Sequence, residues 1–162
     1  MHGTSVYNTQ VRVPLIIHPP VGASVSPSAS AVSILDLTAT LSAVAGAKPL
    51  GSGRDLRGPI APAPIGIEWY GQPSMPPDSR EMGRAVVMGQ TKLIDRNGSA
   101  ELYRLAADPH ERQNQATANA AEVSEMKTSL PPLRIFPEAT ASGKSELSVD
   151  EVERLKALGY AD

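Results

Sequence analysis

The sequence predicts an α+β fold, and three observations carry that prediction. Between Ala85 and Leu105, three short apolar stretches are separated by turn-forming residues, the pattern of a small antiparallel meander. Helix-start signals, in which a short polar side chain stands three residues before an acid, occur at Ser33, Asp108, Asn119 and Ser148. Apolar residues at spacings of three and four follow Ser33, Asn119 and Ser148.

In chain order, Val11-Arg12-Val13-Pro14-Leu15-Ile16-Ile17 is β-branched, nearly continuously apolar and closed by Pro19-Pro20, which predicts a strand buried on both faces. Pro14 lacks a backbone donor, so the expected strand is an edge or bulged one. Ser33-Ile34-Leu35-Asp36 has the spacing of a capping box and predicts a helix to Ala45. Its apolar positions are Leu37, Leu41, Val44 and Ala45, and Gly46 suits the left-handed position that ends it.

Glycine and proline crowd the stretch from Lys48 to Pro64, a predicted loop and the best boundary between two units, 1–63 and 64–162. Ile65, Ile67 and Trp69 alternate with Gly66, Glu68 and Tyr70, as in a half-buried strand. Gly71–Asp78 reads as another loop. Strands follow at Ala85–Met88, Thr91–Ile94 and Glu101–Leu105. Asn97-Gly98 is a type I′ hairpin signal, because that turn needs positive φ at both central residues, and Gly89-Gln90 suits a type II′ turn.

Asp108-Pro109-His110-Glu111 and Asn119-Ala120-Ala121-Glu122 each read as the start of a short helix, the second carrying Val123, Met126 and Leu130 before Pro131-Pro132 stops it. Ser148-Val149-Asp150-Glu151 is a further capping box. Val149, Val152, Leu155 and Leu158 then share one face of a docked amphipathic helix ending at Gly159. No internal repeat, heptad or low-complexity tract is present.

Composition narrows the function classes. With 162 residues and a formal charge of -2, the chain has no general electrostatic reason to bind nucleic acid, and its basic residues are scattered. Zero cysteine excludes disulfides, thiolate zinc sites and cysteine nucleophiles, but leaves the compartment open. No apolar run is long enough to span a membrane, and the first residues lack the pattern of a signal peptide. Leu, Ile, Val and Phe make up about 22% of the chain, close to the roughly 20% below which disorder is favoured. One Trp and one Phe are few large side chains for a core of this length, so an incomplete fold is expected.

Four segments in order resemble the sulfatase family. His2-Gly3-Thr4-Ser5-Val6-Tyr7 followed by Val11–Ile17 is similar to the segment in which His-Gly or Lys-Gly precedes an Arg-Val-Pro strand. Val32–Leu41 with Ala45-Gly46 resembles the family's Ser-Leu-Leu-Asp-Leu-Ala-Pro-Thr-Leu helix. Glu101-Leu102-Tyr103-Arg104-Leu105 with Asp108-Pro109-His110-Glu111 and Asn114 resembles its Glu-Leu-Tyr-Asp-Leu…Asp-Pro-x-Glu…Asn close. Leu155–Tyr160 is similar to a Leu-Gly-Tyr tail of bacterial members.

The resemblance implies the carboxy-terminal part of a sulfatase of the alkaline-phosphatase-like superfamily: the end of its α/β domain, then a small antiparallel sheet packed with helices. It implies sulfate-ester hydrolysis by the parent, on a small molecule or sulfated glycan, with formylglycine and Ca²⁺ as cofactors and a periplasmic or secreted location. The metal ligands and nucleophile of the family precede the matched segments. Ser74-Met75-Pro76-Pro77-Asp78, the near miss to a serine nucleophile motif, has Pro77 and Asp78 where Ser and Arg are required. The chain alone is therefore expected to be inactive. A stand-alone, non-catalytic binding module and a fragment of a related phosphoesterase stay open as alternatives.

By the same resemblance, His2 aligns with the His or Lys that contacts the sulfate. The departures are Asn8-Thr9 for the usual acidic or glycine pair and Ala39 for the helix proline. Other candidates have plainer readings: Asp36 as a cap, His18 and His110 as surface residues, and Glu101, Arg104 and Arg112 as solvated faces. Arg12 and Lys92 are expected to be strand residues that pair charges. An uncovered edge at Val11–Ile17 predicts self-association.

Overall fold

The computed structural model describes residues 5–19, 31–48, 51–70, 82–132 and 149–157. Its elements are α1 (Asn8–Val11), α2 (Ile34–Val44), β1 (Ile65–Trp69), β2 (Gly83–Met88), β3 (Thr91–Arg96), β4 (Ser99–Arg104), a 3₁₀ turn (Thr117–Asn119), α3 (Ala120–Lys127) and α4 (Val149–Ala157). The class is α+β, as the sequence predicts. His2, the Gly71–Asp78 loop, Ser148, Leu158 and Gly159 lie outside the described residues.

The four strands form one antiparallel sheet in the order β1-β2-β3-β4. The turn chemistry is as expected. Asn97 (φ 49°) and Gly98 (φ 87°) both take positive φ between β3 and β4, while Gly89 (φ 60°) alone does so between β2 and β3. Those turns set a register in which Val86 faces Leu93 and Leu93 faces Leu102.

Alternation then sorts side chains onto two faces. On one, Val86, Leu93 and Leu102 pack with Val123 and Met126 of α3 and with Leu130 beyond it. Arg104 pairs with Glu122 and Arg84 with Asp95 around this layer. On the other, Ala85, Ile94 and Tyr103 pack with Val6. The sheet is thus sandwiched between α3 and the segment 5–11.

Three expectations are corrected. Val11–Ile17 is not a strand: residue 11 ends α1 and residues 12–17 run without ladder partners, Val13, Leu15 and Ile16 being exposed. A strand exists only through its neighbours, and none lies beside this segment among the described residues. Asp108–Glu111 starts a turn instead of a helix. Asp108 accepts from the amides of Arg112 and Gln113, and Glu111 takes φ 54°, which no helix continues through. Asn119 flanks α3 as expected but caps nothing with its side chain, whose Nδ2 instead donates to the carbonyl of Gln115.

Helix α2 has the expected capping box, Ser33 Oγ accepting from Leu35 N at 3.2 Å and Asp36 from Ser33 N at 2.8 Å, and Gly46 (φ 65°) follows its end. Its orientation is the reverse of a core helix. Asp36, Ala39, Thr40 and Ser42 are buried, while Ile34, Leu35, Leu41 and Val44 are exposed. In α4, Val149 is also exposed.

Candidate functional site

Segment 5–11 leaves its extended course at Tyr7, whose carbonyl accepts from the amides of Gln10 and Val11 to form the single turn of α1. Val6, almost fully buried, plugs the sheet. Tyr7 is thereby placed over β4, on a face of the sheet where two charged strand residues, Glu101 of β4 and Lys92 of β3, point inward.

Glu101 is the first. Because β4 alternates, Glu101 and Tyr103 share the face toward segment 5–11, so Glu101 is buried and not solvated. Its Oε2 accepts from Tyr7 Oη at 2.5 Å and Tyr103 Oη at 2.8 Å, and its Oε1 pairs with Arg96 at 2.8 Å. Arg96 also sits 5.7 Å from the centroid of the Tyr7 ring, which meets Tyr103 edge-on at 6.3 Å. Burial opposes ionisation of Glu101, but the two hydroxyls and Arg96 outweigh it and hold the carboxyl below the usual range. Burial raises the Tyr103 phenol, and the Glu101 carboxylate raises it further.

Lys92 is the second. It pairs charges as expected, but its side chain is 0% exposed and that of its partner Glu111 1%, with Nζ to Oε1 at 2.6 Å. Lys92 also donates to Asn8 Oδ1 at 3.1 Å, and Asn8 N donates to Glu111 Oε2 at 2.6 Å. Burial pulls the Lys92 ammonium below the ordinary lysine range, an effect the Glu111 carboxylate offsets in part.

A third cluster lies at α2. Arg54 donates to Asp36 from its backbone and from its guanidinium, the closest contact being 2.6 Å. Burial opposes ionisation here too, yet the Arg54 hydrogen bonds, the Ser33 amide and the Arg54 charge bring the Asp36 carboxyl down to about 2. Asp36 is therefore a cap, as expected, and also an anchor. Thr40 Oγ1 accepts from Leu56 N at 2.9 Å beside it.

Between segment 8–15, the start of α2 and the outer part of the sheet runs an open groove of about 1020 Å³, with Asn8, Val11, Leu15, Ile34, Ile67 and Gln90 among its walls. Arg12 is exposed, and so are His18 and His110. No group of three or more His, Cys, Asp and Glu side chains that could hold a metal exists among the described residues. No described helix is long and apolar enough to cross a membrane.

His2, the sequence-predicted site residue, lies outside the described residues. What sequence reasoning missed are Glu101, Glu111 and the depth of Lys92. Alternation with Tyr103 was a signal for Glu101, whereas nothing local marks Glu111 as left-handed.

No family model matches the chain, and no curated protein does. Among solved structures, the chain is similar to a protein of Bacteroides thetaiotaomicron VPI-5482 assigned to the sulfatases, at 24% identity and TM-score 0.45. It is also similar to a 2-O GAG sulfatase, at 25% identity and TM-score 0.46. Each likeness covers 56% of this chain and 22% of the other, so the chain spans about a fifth of the length of these structures.

Proposed function

We propose that this chain is the carboxy-terminal part of a sulfatase whose whole protein hydrolyses sulfate esters, of a small molecule or a glycan, with formylglycine and Ca²⁺ supplied by residues outside it. One observation carries the reading. The first and third matched segments, some 90 residues apart in sequence, form one unit through Tyr7 Oη on Glu101. The residues that carry the resemblance are those that hold the fold at this point, as expected if they are there for one inherited arrangement.

In that reading His2 contacts the sulfate. The bridging oxygen of a sulfate ester gains negative charge as the S–O bond breaks, and an imidazolium within hydrogen-bond reach stabilises that charge or supplies a proton. Units 1–63 and 64–162 are then the end of the α/β domain and the small subdomain. The isolated chain, lacking the nucleophile, is inactive and self-associates through its uncovered apolar residues.

The test begins with the DNA upstream of Met1. An in-frame Cys/Ser-x-Pro-x-Arg motif with paired Asp ligands is expected. The full reading frame should cleave an aryl sulfate faster than the matching aryl phosphate, and His2→Ala should lower that rate by roughly 10²–10⁴-fold. Faster phosphate cleavage assigns the protein to the phosphoesterases, and an upstream sequence with neither motif nor ligands ends the reading.

A further inference from the structure

Segment 5–12 and α3 cover opposite faces of the same sheet by different means. α3 is attached through Val123 and Met126 in an apolar layer with Val86, Leu93 and Leu102. Segment 5–12 contributes one almost fully buried apolar side chain, Val6, the partly buried ring of Tyr7 against Tyr103, and otherwise polar contacts. At its Asn8 end those contacts converge on a dry ion pair. Lys92 and Glu111 meet at 2.6 Å with side-chain exposures of 0% and 1%, Lys92 donates to Asn8 Oδ1, and Glu111 accepts from Asn8 N.

A buried pair of this kind contributes little net stability, because desolvating two charges costs about what their attraction returns, but removing one partner strands the other. Glu111 is moreover held at φ 54°, a conformation that side chains with a β-carbon rarely adopt. The turn that aims its carboxylate is fixed by Asp108, which accepts from Arg112 N at 2.8 Å and Gln113 N at 2.9 Å. Backbone strain, two buried charges and an amide of segment 5–12 therefore meet at one point, where the Asn8 end of the segment joins the sheet.

We infer that Lys92, Glu111 and Asn8 form a conformational clasp that seats segment 5–12 on the sheet as a separately opening unit. Loss of one of its charges releases the segment while β2, β3 and α3 stay folded. Asn8 and Val11 also line the groove, so the clasp fixes the position of one groove wall. The inference rests on this geometry and stands whether or not the chain derives from a sulfatase.

Backbone amide exchange on the full chain, read residue by residue, tests it. Glu111→Gln keeps an acceptor for Asn8 N but removes the charge opposite Lys92. The amides of Asn8, Val11 and Arg12 should then exchange about 10- to 100-fold faster, the range set by losing one charge-assisted hydrogen bond, with those of Val86 and Leu93 unchanged. An equal acceleration of Val86 and Leu93 would make the pair a part of the sheet's own core and overturn the clasp. So would no acceleration anywhere. If Glu111→Gln does not fold, Asn8→Ala decides, since it leaves both charges in place and takes only one acceptor from Lys92. A rise of a few-fold confined to residues 8–12 supports the clasp, and any other result overturns it.

Discussion

The sheet with α3 and the helix α2 with its following loop are built on opposite plans. In the first, apolar side chains are inside: Val86, Leu93 and Leu102 are 0% exposed, and charged pairs such as Arg104–Glu122 ring the margin. In the second, the polar face is inside. Asp36 and Thr40 bond the loop and are buried together with Ala39 and Ser42, while Ile34, Leu35, Leu41 and Val44 are 71%, 53%, 60% and 65% exposed. The sheet carries its own core. Helix α2 is held by a few directional contacts and presents outward the face by which helices are ordinarily stabilised.

The largest effect that separates the two plans is a core truncation. Leu102→Ala should destabilise the sheet by roughly 3 kcal/mol, the cost of lost apolar transfer plus a cavity. Leu41→Ala, the same change on α2, should cost a few tenths at most, because the side chain already meets water. Urea midpoints followed by the fluorescence of Trp69, a residue of β1, read the difference. Equal shifts would break the comparison.

Next in size is the α2 anchor. Asp36→Ala removes the cap on Ser33 N and takes the carboxylate from the Arg54 guanidinium, a loss of roughly 2–3 kcal/mol. The loss should be local. Amides of α2 should lose exchange protection while those of β2 and β3 keep theirs, and a common loss would show that the two regions fold as one. Gly53 sharpens the point, since a β-carbon there would stand 1.9 Å from the carbonyl oxygen of Leu35. Gly53→Ala should push the loop off α2 with the same local signature.

Acid should reproduce part of that effect without mutation. The Asp36 carboxyl titrates at about 2 in the folded chain against 3.8 ordinarily. A group whose folded value is depressed contributes stability that is complete above the unfolded value and is lost as pH falls through the folded one. Stability of α2 should thus be steady above pH ~5 and fall by about 2 kcal/mol between pH ~4 and ~2. In Asp36→Asn that fall should vanish from the pH profile of α2 amide protection, and its persistence would assign the titration to another carboxylate.

What the sequence announces is what residues decide with their near neighbours. Ser33 and Asp36 cap each other three residues apart, and Asn97-Gly98 makes its turn whatever surrounds it. Val11–Ile17 has the composition of a strand, but composition cannot supply a ladder partner. Periodicity finds the apolar face of α2 and says nothing of which side meets the loop. The polar clusters are legible only in part. Alternation places Glu101 beside Tyr103, whereas the Asn8–Glu111 contact joins residues 103 apart through a turn whose left-handed glutamate has no sequence signature.

The smallest expected change in stability is also the sharpest statement of the difference between the regions. Leu41→Lys with Val44→Lys places two charges on the outward face of α2, where both native side chains are exposed. In a core helix such a pair would be ruinous; here it should move the melt by no more than about 0.5 kcal/mol. Its effect should appear instead in association. Together with Leu15 and Ile16, the outward face of α2 presents several exposed large apolar residues, the kind of surface that a separate soluble chain hides against another copy. Sedimentation of the native chain should show mass rising with concentration, and the double variant should remain monomeric at the same concentration. If the variant unfolds, the outward face is packed after all and α2 belongs to the core. If it folds but still associates, contact between copies runs through residues other than this helix, and segment 12–17, with its exposed Val13, Leu15 and Ile16, becomes the next place to put a charge.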